Sequence, residues 1–245
     1  MRVPRIFTAQ LLAAGATLPL EAGPSQHLAR VLRMGPGDAL CLFDGSGLDF
    51  MATIVAADKR QVTVALAAGE PGLPESPLRI HLGIGVSRGE RMDWVVQKAT
   101  ELGVAAITPL STERTEVRLR GERELRKLQH WQQIAVSACE QSGRSKPPKV
   151  HAVTPLAAWL ERCDDEQRFV LHHRAQPLAS PAATPTSVSL LVGPEGGLSE
   201  TEVTAAEAAG FASLALGPRV MRTETAPLAA LAILQARWGD MVLPA

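Results

Sequence analysis

Two stretches of this chain combine residue types and spacings that could do chemistry. The first is LLVGPEGGLSETE, from Leu190 to Glu202. An apolar strand runs directly into Gly193-Pro194-Glu195-Gly196-Gly197 and then into a helix start. Backbone rich in glycine can approach a ligand closely, and ligands bind open α/β sheets beyond the carboxyl ends of their strands. The second is LALGPRVMRTETAPLAAL, from Leu214 to Leu231. There a strand ends in Gly217-Pro218, followed by Arg219, Arg222, Thr223, Glu224 and Thr225 before an apolar helix. Amides, carbonyls, guanidinium groups and hydroxyls from two such loops could meet at one sheet edge. Plainer readings stay open at this point. A plain βα connection containing glycine and proline would read the same way as the first loop. The arginines could pair with Glu224 on the surface, and Thr223 or Thr225 could serve as a helix N-cap.

Several common sites are excluded. No GxxxxGK[ST] phosphate loop and no GxSxG elbow occurs. Gly83, Gly85 and Gly89 follow a strand, but the third glycine of a dinucleotide fingerprint falls on Arg88, so NAD binding is a weak alternative. The six histidines lack HExxH spacing, and Cys41, Cys139 and Cys163 form no CxxC pair. No metal site and no disulfide framework is expected, and a reducing compartment, the cytoplasm, is the simplest home.

The elements that must position these loops fall into two groups. Residues 1–70 read as mainly β, with strand-like runs over 39–43, 50–55 and 62–66. Turn signals lie at Asp44-Gly45-Ser46-Gly47 and Asp58-Lys59-Arg60, and Ser25 is expected to cap a short helix. Such a run of short strands suggests a small barrel or sandwich. Residues 71–77, inside the Pro/Gly-rich GEPGLPESP, read as a linker. From 78 to 245 strands and helices alternate: strands over 79–86, 105–110, 169–172, 188–192 and 211–216, and helices over 90–102, 122–141, 155–162 and 226–238. A further helix starts at Ser199, where Glu202 completes a capping box, and stops at Gly210. This rhythm argues for an α/β domain with a parallel sheet covered on both faces. The proline-rich stretch 175–187 reads as a mobile surface loop.

The chain has 245 residues, 46% hydrophobic and 20% charged, with 25 basic and 25 acidic side chains. That composition is globular and not disordered. No apolar run is long enough to span a bilayer. Arg2 and Arg5 precede a moderately apolar stretch from Leu11 to Leu20, but Pro4, Thr8, Gln10 and Thr17 interrupt it, so it reads as mature protein. The zero net charge is unevenly spread: residues 76–163 carry an excess of five basic groups. Such a local excess permits a phosphate-contacting face, although a solvated helix surface accounts for it as simply.

Taken in order, HLARVLRMGPGD, LFDGSG, SRGERMDWVVQKATELGV, ITPLSTERTEV, WQQIAVSACEQSGR, LLVGPEGGLSETE and LGPRVMRTETA resemble the bacterial small-subunit (16S) ribosomal RNA uridine-N3 methyltransferases of the SPOUT superfamily. The resemblance covers nearly the whole chain. It implies an N-terminal PUA-like β-barrel for RNA docking and a C-terminal α/β domain with a trefoil knot. It also implies an obligate homodimer and S-adenosylmethionine as cofactor. Three loops are then expected to hold the cofactor: Leu171 and His172; Gly193, Pro194, Glu195, Gly196 and Gly197; and Leu216 and Gly217 through Val220, Met221 and Arg222 to Thr223 and Thr225. Met221 stands where the family loop usually has leucine, a change conservative in volume.

Methyl transfer to uridine N3 is an in-line displacement that requires loss of the N3 proton. An arginine near O2 or O4 would stabilise the resulting charge, and Arg219 or Arg222 is expected to do so. Glu195 or Glu224 could act as base only with a pKa raised toward neutrality. The N3 atom lies on the pairing edge, so the target must be unpaired or flipped out. RNA contacts are expected from Arg2, Arg5, Arg30 and Arg33, from Arg114, Arg118 and Arg120, and from Glu140, Gln141 and Arg144. Ribose 2′-O methylation of another RNA, or a non-catalytic RNA-binding assembly factor, are the rival expectations.

Overall fold

A computed structural model describes residues 3–58, 60–172 and 184–241. Arg2, Lys59 and most of the 175–187 stretch lie outside the described residues. The chain divides into two compact units, one formed by the residues up to Glu75 with Val136–Pro147, the other by Ser76–Ala135 with the residues from Pro148 on.

The first unit is built on a five-stranded sheet in the order β1-β3-β4-β5-β2: β1 (Arg5–Phe7), β2 (Thr17–Pro19), β3 (Ala39–Phe43), β4 (Leu48–Ala57) and β5 (Val62–Pro71). Only the β1–β3 pair is parallel. Period-two alternation in β4 and β5 buries Phe50, Ala52, Ile54, Val62, Val64 and Leu66 on one face. Register shifts between Phe50 and Ala52 and between Ile54 and Ala56 bend the long hairpin. Asp44 closes the β3–β4 turn by accepting from the Ser46 N–H, and Asp58 accepts from Arg60 and Gln61 in the next. A short helix α1 (Ala22–Gln26) continues as one π-helical turn (His27–Val31). Ser25 does not cap it: Glu21 occupies the N-cap, and the buried Ser25 hydroxyl donates to Leu20 O and accepts from Val62 N. That hydroxyl stitches helix to sheet instead.

The second unit carries a parallel sheet in the order β12-β10-β11-β6-β7-β8, with β9 also on β7. Its strands are β6 (Arg79–Gly85), β7 (Ala106–Ser111), β8 (Lys149–Val150), β9 (Thr154–Pro155), β10 (Gln167–Leu171), β11 (Ser187–Val192) and β12 (Ala212–Leu214). Its helices are α2 (Arg91–Glu101), the part of α3 (Glu122–Ser142) up to Ala135, α4 (Leu156–Leu160), α5 (Glu200–Ala208) and α6 (Ala226–Trp238), the remainder of α3 belonging to the first unit. On one face Ile80, Leu82 and Ile84 of β6 pack with Val95, Val96 and Ala99 of α2 and Ala230, Leu231 and Leu234 of α6. On the other, Leu110, Val170 and Leu191 pack with Trp159 and Leu160 of α4 and Ala206 of α5. β11 is buried along its whole length, as expected of a central parallel strand. The strand expected over 211–216 stops at Leu214, and residues beyond it run as loop to Thr225.

Candidate functional site

β12, β10 and β11 are neighbours and parallel, so their carboxyl ends open on one edge of the sheet. The His172 N–H donates to Leu214 O at 3.0 Å and fastens the first loop to the end of β12. A cavity of about 280 Å³ lies there. Its walls include Leu171 and His172, all five residues from Gly193 to Gly197, and Leu216, Gly217, Val220, Met221 and Thr223. The volume sits near the lower end of the ~300–1,000 Å³ of small-molecule clefts. Its lining is mixed: aliphatic side chains, glycine backbone, Thr223, His172, Glu195 and two arginines, Arg114 and Arg219.

Close backbone approach explains two glycines. A Cβ on Gly193 would stand 2.8 Å from the Leu198 nitrogen and 2.9 Å from the Gly197 carbonyl carbon, so the turn closes only without one. A Cβ on Gly85, at the end of β6, would stand 2.5 Å from the Pro194 ring and nitrogen. Gly85 therefore serves to seat the Pro194 loop, which gives it a reason other than dinucleotide binding.

Hydrogen bonds to Glu195 hold the loop in place. Oε1 of Glu195 accepts from the Arg88 N–H and from Arg91 Nη1, each at 2.8 Å. Partial burial works against ionisation of Glu195, but the hydrogen bonds from Arg88 and Arg91 outweigh it and hold the carboxyl below its ordinary range. A raised pKa was the condition for Glu195 as base, and the environment works in the opposite sense. Downstream, the capping box forms as expected: Ser199 Oγ accepts from Glu202 N, and Glu202 Oε2 accepts from Ser199 N. The other oxygen, Oε1, accepts from the Glu113 N–H at 2.8 Å and ties residues 111–117 to the start of α5.

The expected residues separate in space. Arg219 lines the cavity, whereas Arg222 does not; its side chain is 82% exposed, 4.0 Å from Glu224. Thr225 stands at the N-cap of α6 without a capping side-chain bond, and also lies off the cavity. Arg114, expected on RNA, lines the cavity. Val192, Leu198, Leu214 and Ala226 line it too and were not foreseen. Three of them adjoin the expected loops, and strand ends preceding a glycine loop were the signal available for Val192 and Leu214.

Of the other residues expected on RNA, Arg30, Arg33, Arg118, Arg120 and Gln141 are exposed. Arg33 adopts a left-handed backbone with φ 56°. Arg5 and Arg144 are engaged elsewhere in the first unit. Arg5 grips Asp49 through both terminal nitrogens at 2.5 and 3.0 Å, and the buried Arg144 holds Glu75 at 2.5 Å. Glu140 accepts from the Phe7 N–H at 3.0 Å. Burial pushes its carboxyl up, against the opposing pull of that bond. Arg2 lies outside the described residues. Among those residues, no group of His, Cys, Asp or Glu could hold a metal ion, and no helix is long and apolar enough to cross a membrane.

Comparison with known proteins bears on this edge of the sheet. Residues 74–235 match the model of an RNA methyltransferase domain, and residues 25–67 that of an RNA methyltransferase PUA domain. The chain is 32% identical to the ribosomal RNA small subunit methyltransferase E of Buchnera aphidicola subsp. Schizaphis graminum over 98% of each protein. It is 30% identical to the protein of that name from Bacillus subtilis over 93% of each. Among solved structures, a methyltransferase from Legionella pneumophila with bound S-adenosylmethionine superposes with a TM-score of 0.95 at 40% identity, covering 98% of this chain and 100% of the other. A ribosomal RNA small subunit methyltransferase E from Neisseria gonorrhoeae, bound to S-adenosylmethionine, gives 0.91 at 37% identity with the same coverage. With a domain model spanning 74–235 and relatives at 30% identity or more over at least 93% of their length, the chain belongs to this family of RNA methyltransferases.

Proposed function

We propose that this protein transfers a methyl group from S-adenosylmethionine to N3 of a uridine in small-subunit ribosomal RNA. The reading includes a cytoplasmic homodimer and a trefoil knot in the C-terminal domain, as the resemblance implies. One observation carries it: three loops far apart in sequence, after β10, β11 and β12, line a single cavity.

The residues present fit the cofactor. The aliphatic walls of Leu171, Leu216, Val220 and Met221 suit its apolar portions, and the glycine backbone at 193–197 offers amides and carbonyls to its polar ones. Bound there, S-adenosylmethionine supplies an electrophilic methyl group on a positively charged sulfur that leaves neutral.

The chain's part is positioning and charge. Holding the reacting atoms in line can contribute roughly 7–11 kcal/mol. Arg219, on the cavity wall, stabilises the negative charge that uridine develops at its carbonyl oxygens when N3 gives up its proton to solvent water. Arg222, outside the wall, takes a lesser share. Glu195 stays ionised and anchors its loop. The exposed arginines 30, 33, 118 and 120 meet RNA phosphates, so RNA affinity falls steeply as salt rises.

The test is mass spectrometry of small-subunit RNA from a strain lacking the gene. One N3-methyluridine should disappear and return with the wild-type gene but not with Arg219→Ala. An unchanged set of methylated uridines overturns the assignment. Loss of a 2′-O-methyl group in its place would redirect it to ribose.

A further inference from the structure

Arg91 is the first residue of α2 and lies outside the expected site, yet it reaches both of the charged loops around the cavity. Its Nη1 donates to Glu195 Oε1 at 2.8 Å, in the loop after β11. Its Nε lies 3.7 Å from Glu224 Oε2, in the loop that leads into α6. These loops are separated by the whole of α5 and β12 in the chain. We propose that Arg91 is a positioning residue that holds the 193–197 and 217–225 loops in register with one another, and so sets the shape of the methyl-donor cavity. The inference rests on the methyltransferase reading and names a residue that reading does not include.

Local needs do not explain an arginine at this place. The first turn of a helix carries the positive end of the macrodipole, where a cation is disfavoured. Arg91 contributes no buried surface to the core of α2, which is Met92, Val95, Val96 and Ala99. Its side chain remains 45% exposed. What distinguishes the position is its reach. Glu195 takes a backbone donor from Arg88 and a side-chain donor from Arg91 on the same oxygen, so the carboxylate is fixed in direction as well as in distance. Glu224 stands between Arg91 and Arg222, and of these two guanidinium groups Arg91 is the closer. Ion pairs this exposed contribute little to folding. Their consequence is expected in the geometry of the cavity, where displacement by about 1 Å can cost a hundredfold in rate.

The experiment compares wild type, Arg91→Met, Arg91→Lys, Glu195→Gln and the double variant Arg91→Met/Glu195→Gln. Calorimetry with S-adenosylmethionine, steady-state methylation of small-subunit RNA and thermal unfolding are measured on each. Arg91→Met should weaken cofactor binding and raise its KM roughly tenfold, with a smaller fall in kcat and an unchanged Tm. Arg91→Lys, which keeps the charge but can satisfy only one loop at a time, should fall between. The double variant should be no worse than Arg91→Met, because the ion pair that Glu195→Gln weakens is already lost in Arg91→Met. Wild-type cofactor affinity and KM in Arg91→Met would overturn the inference while leaving the methyltransferase reading intact. So would a lowered Tm with kcat and KM shifted alike, which marks a structural role. A wild-type protein that binds no S-adenosylmethionine overturns both.

Discussion

Arg114 Nη1 donates to the backbone carbonyl of Gly196 at 2.9 Å, so a residue of the segment following β7 is fastened to the glycine loop following β11. The Cβ of Arg114 also lies where a side chain on Gly196 would begin, at 3.1 Å. Loop and arginine are fitted to each other. Truncation by Arg114→Ala removes one charge-assisted bond at a partly exposed site, a loss of roughly 1 kcal/mol, or about fivefold in S-adenosylmethionine affinity. Titration calorimetry reads this directly. An effect on RNA affinity with none on the cofactor would show that Arg114 serves the RNA, as the sequence suggested.

Gly85→Ala tests the seating of the same loop from below. The new methyl group meets Pro194 at 2.5 Å, in backbone and ring, where nothing flexible can yield. Overpacking of this kind costs about 1–3 kcal/mol, and the 193–197 loop must move to relieve it. Unfolding in urea should show the destabilisation, and cofactor affinity should fall at least tenfold by the same displacement. A variant that binds S-adenosylmethionine normally would mean the loop is not seated by this contact.

Asp49 is the centre of a polar knot in the first unit. It takes both terminal nitrogens of Arg5 and the Ser145 hydroxyl, the last at 2.5 Å. The Arg5 and Asp49 side chains are only 12% and 22% exposed. Asp49→Ala leaves a largely buried guanidinium without its counter-charge, which should cost about 2–3 kcal/mol of stability. Denaturant midpoints for Asp49→Ala and Arg5→Ala would measure it. A change under about 0.5 kcal/mol in both would return Arg5 to the surface role expected of it on RNA.

His81 offers a pH test. Burial, helped by the neighbouring His151, pushes its pKa down from the ordinary 6.5 to about 4. Its Nε2 meets the Thr108 hydroxyl at 2.7 Å and accepts from the Trp159 indole N–H at 3.5 Å, and the His151 ring lies 5.6 Å away. The folded state therefore stays neutral where the unfolded chain takes up a proton. Stability should be level above pH about 6.5 and fall as pH drops toward 4, by roughly 3 kcal/mol at the lower limit. His151, held down by its own burial and then by Lys149, acts in the same direction. Denaturant midpoints at pH 7, 5.5 and 4.5 should show the slope, and His81→Gln should flatten most of it. An equal slope in that variant would place the linkage elsewhere.

Much of this organisation is legible in local pattern. Alternation in β4 and β5 and the apolar run of β11 announce their burial from neighbouring residues alone. The Ser199–Glu202 capping box reads directly because both of its bonds span three residues. The Gly-Pro loops are legible as tightly shaped connections because proline fixes its own φ and glycine admits backbone that other residues rarely adopt. The helix of 226–238 needs only its apolar composition and Pro227 near its start.

Tertiary structure decided the rest, because strand order and side-chain partners are set by contacts between residues as much as 159 positions apart and leave no periodic trace. The order β12-β10-β11 brings residues 172, 193 and 217 to one cavity. Arg219 and Arg222, three apart in a loop without repeating geometry, end on different sides of its wall. Arg5 and Arg144 read as surface cations until Asp49 and Glu75 are seen beside them. Arg91 reads as an ordinary helix-start residue until the two loops it touches are folded against it.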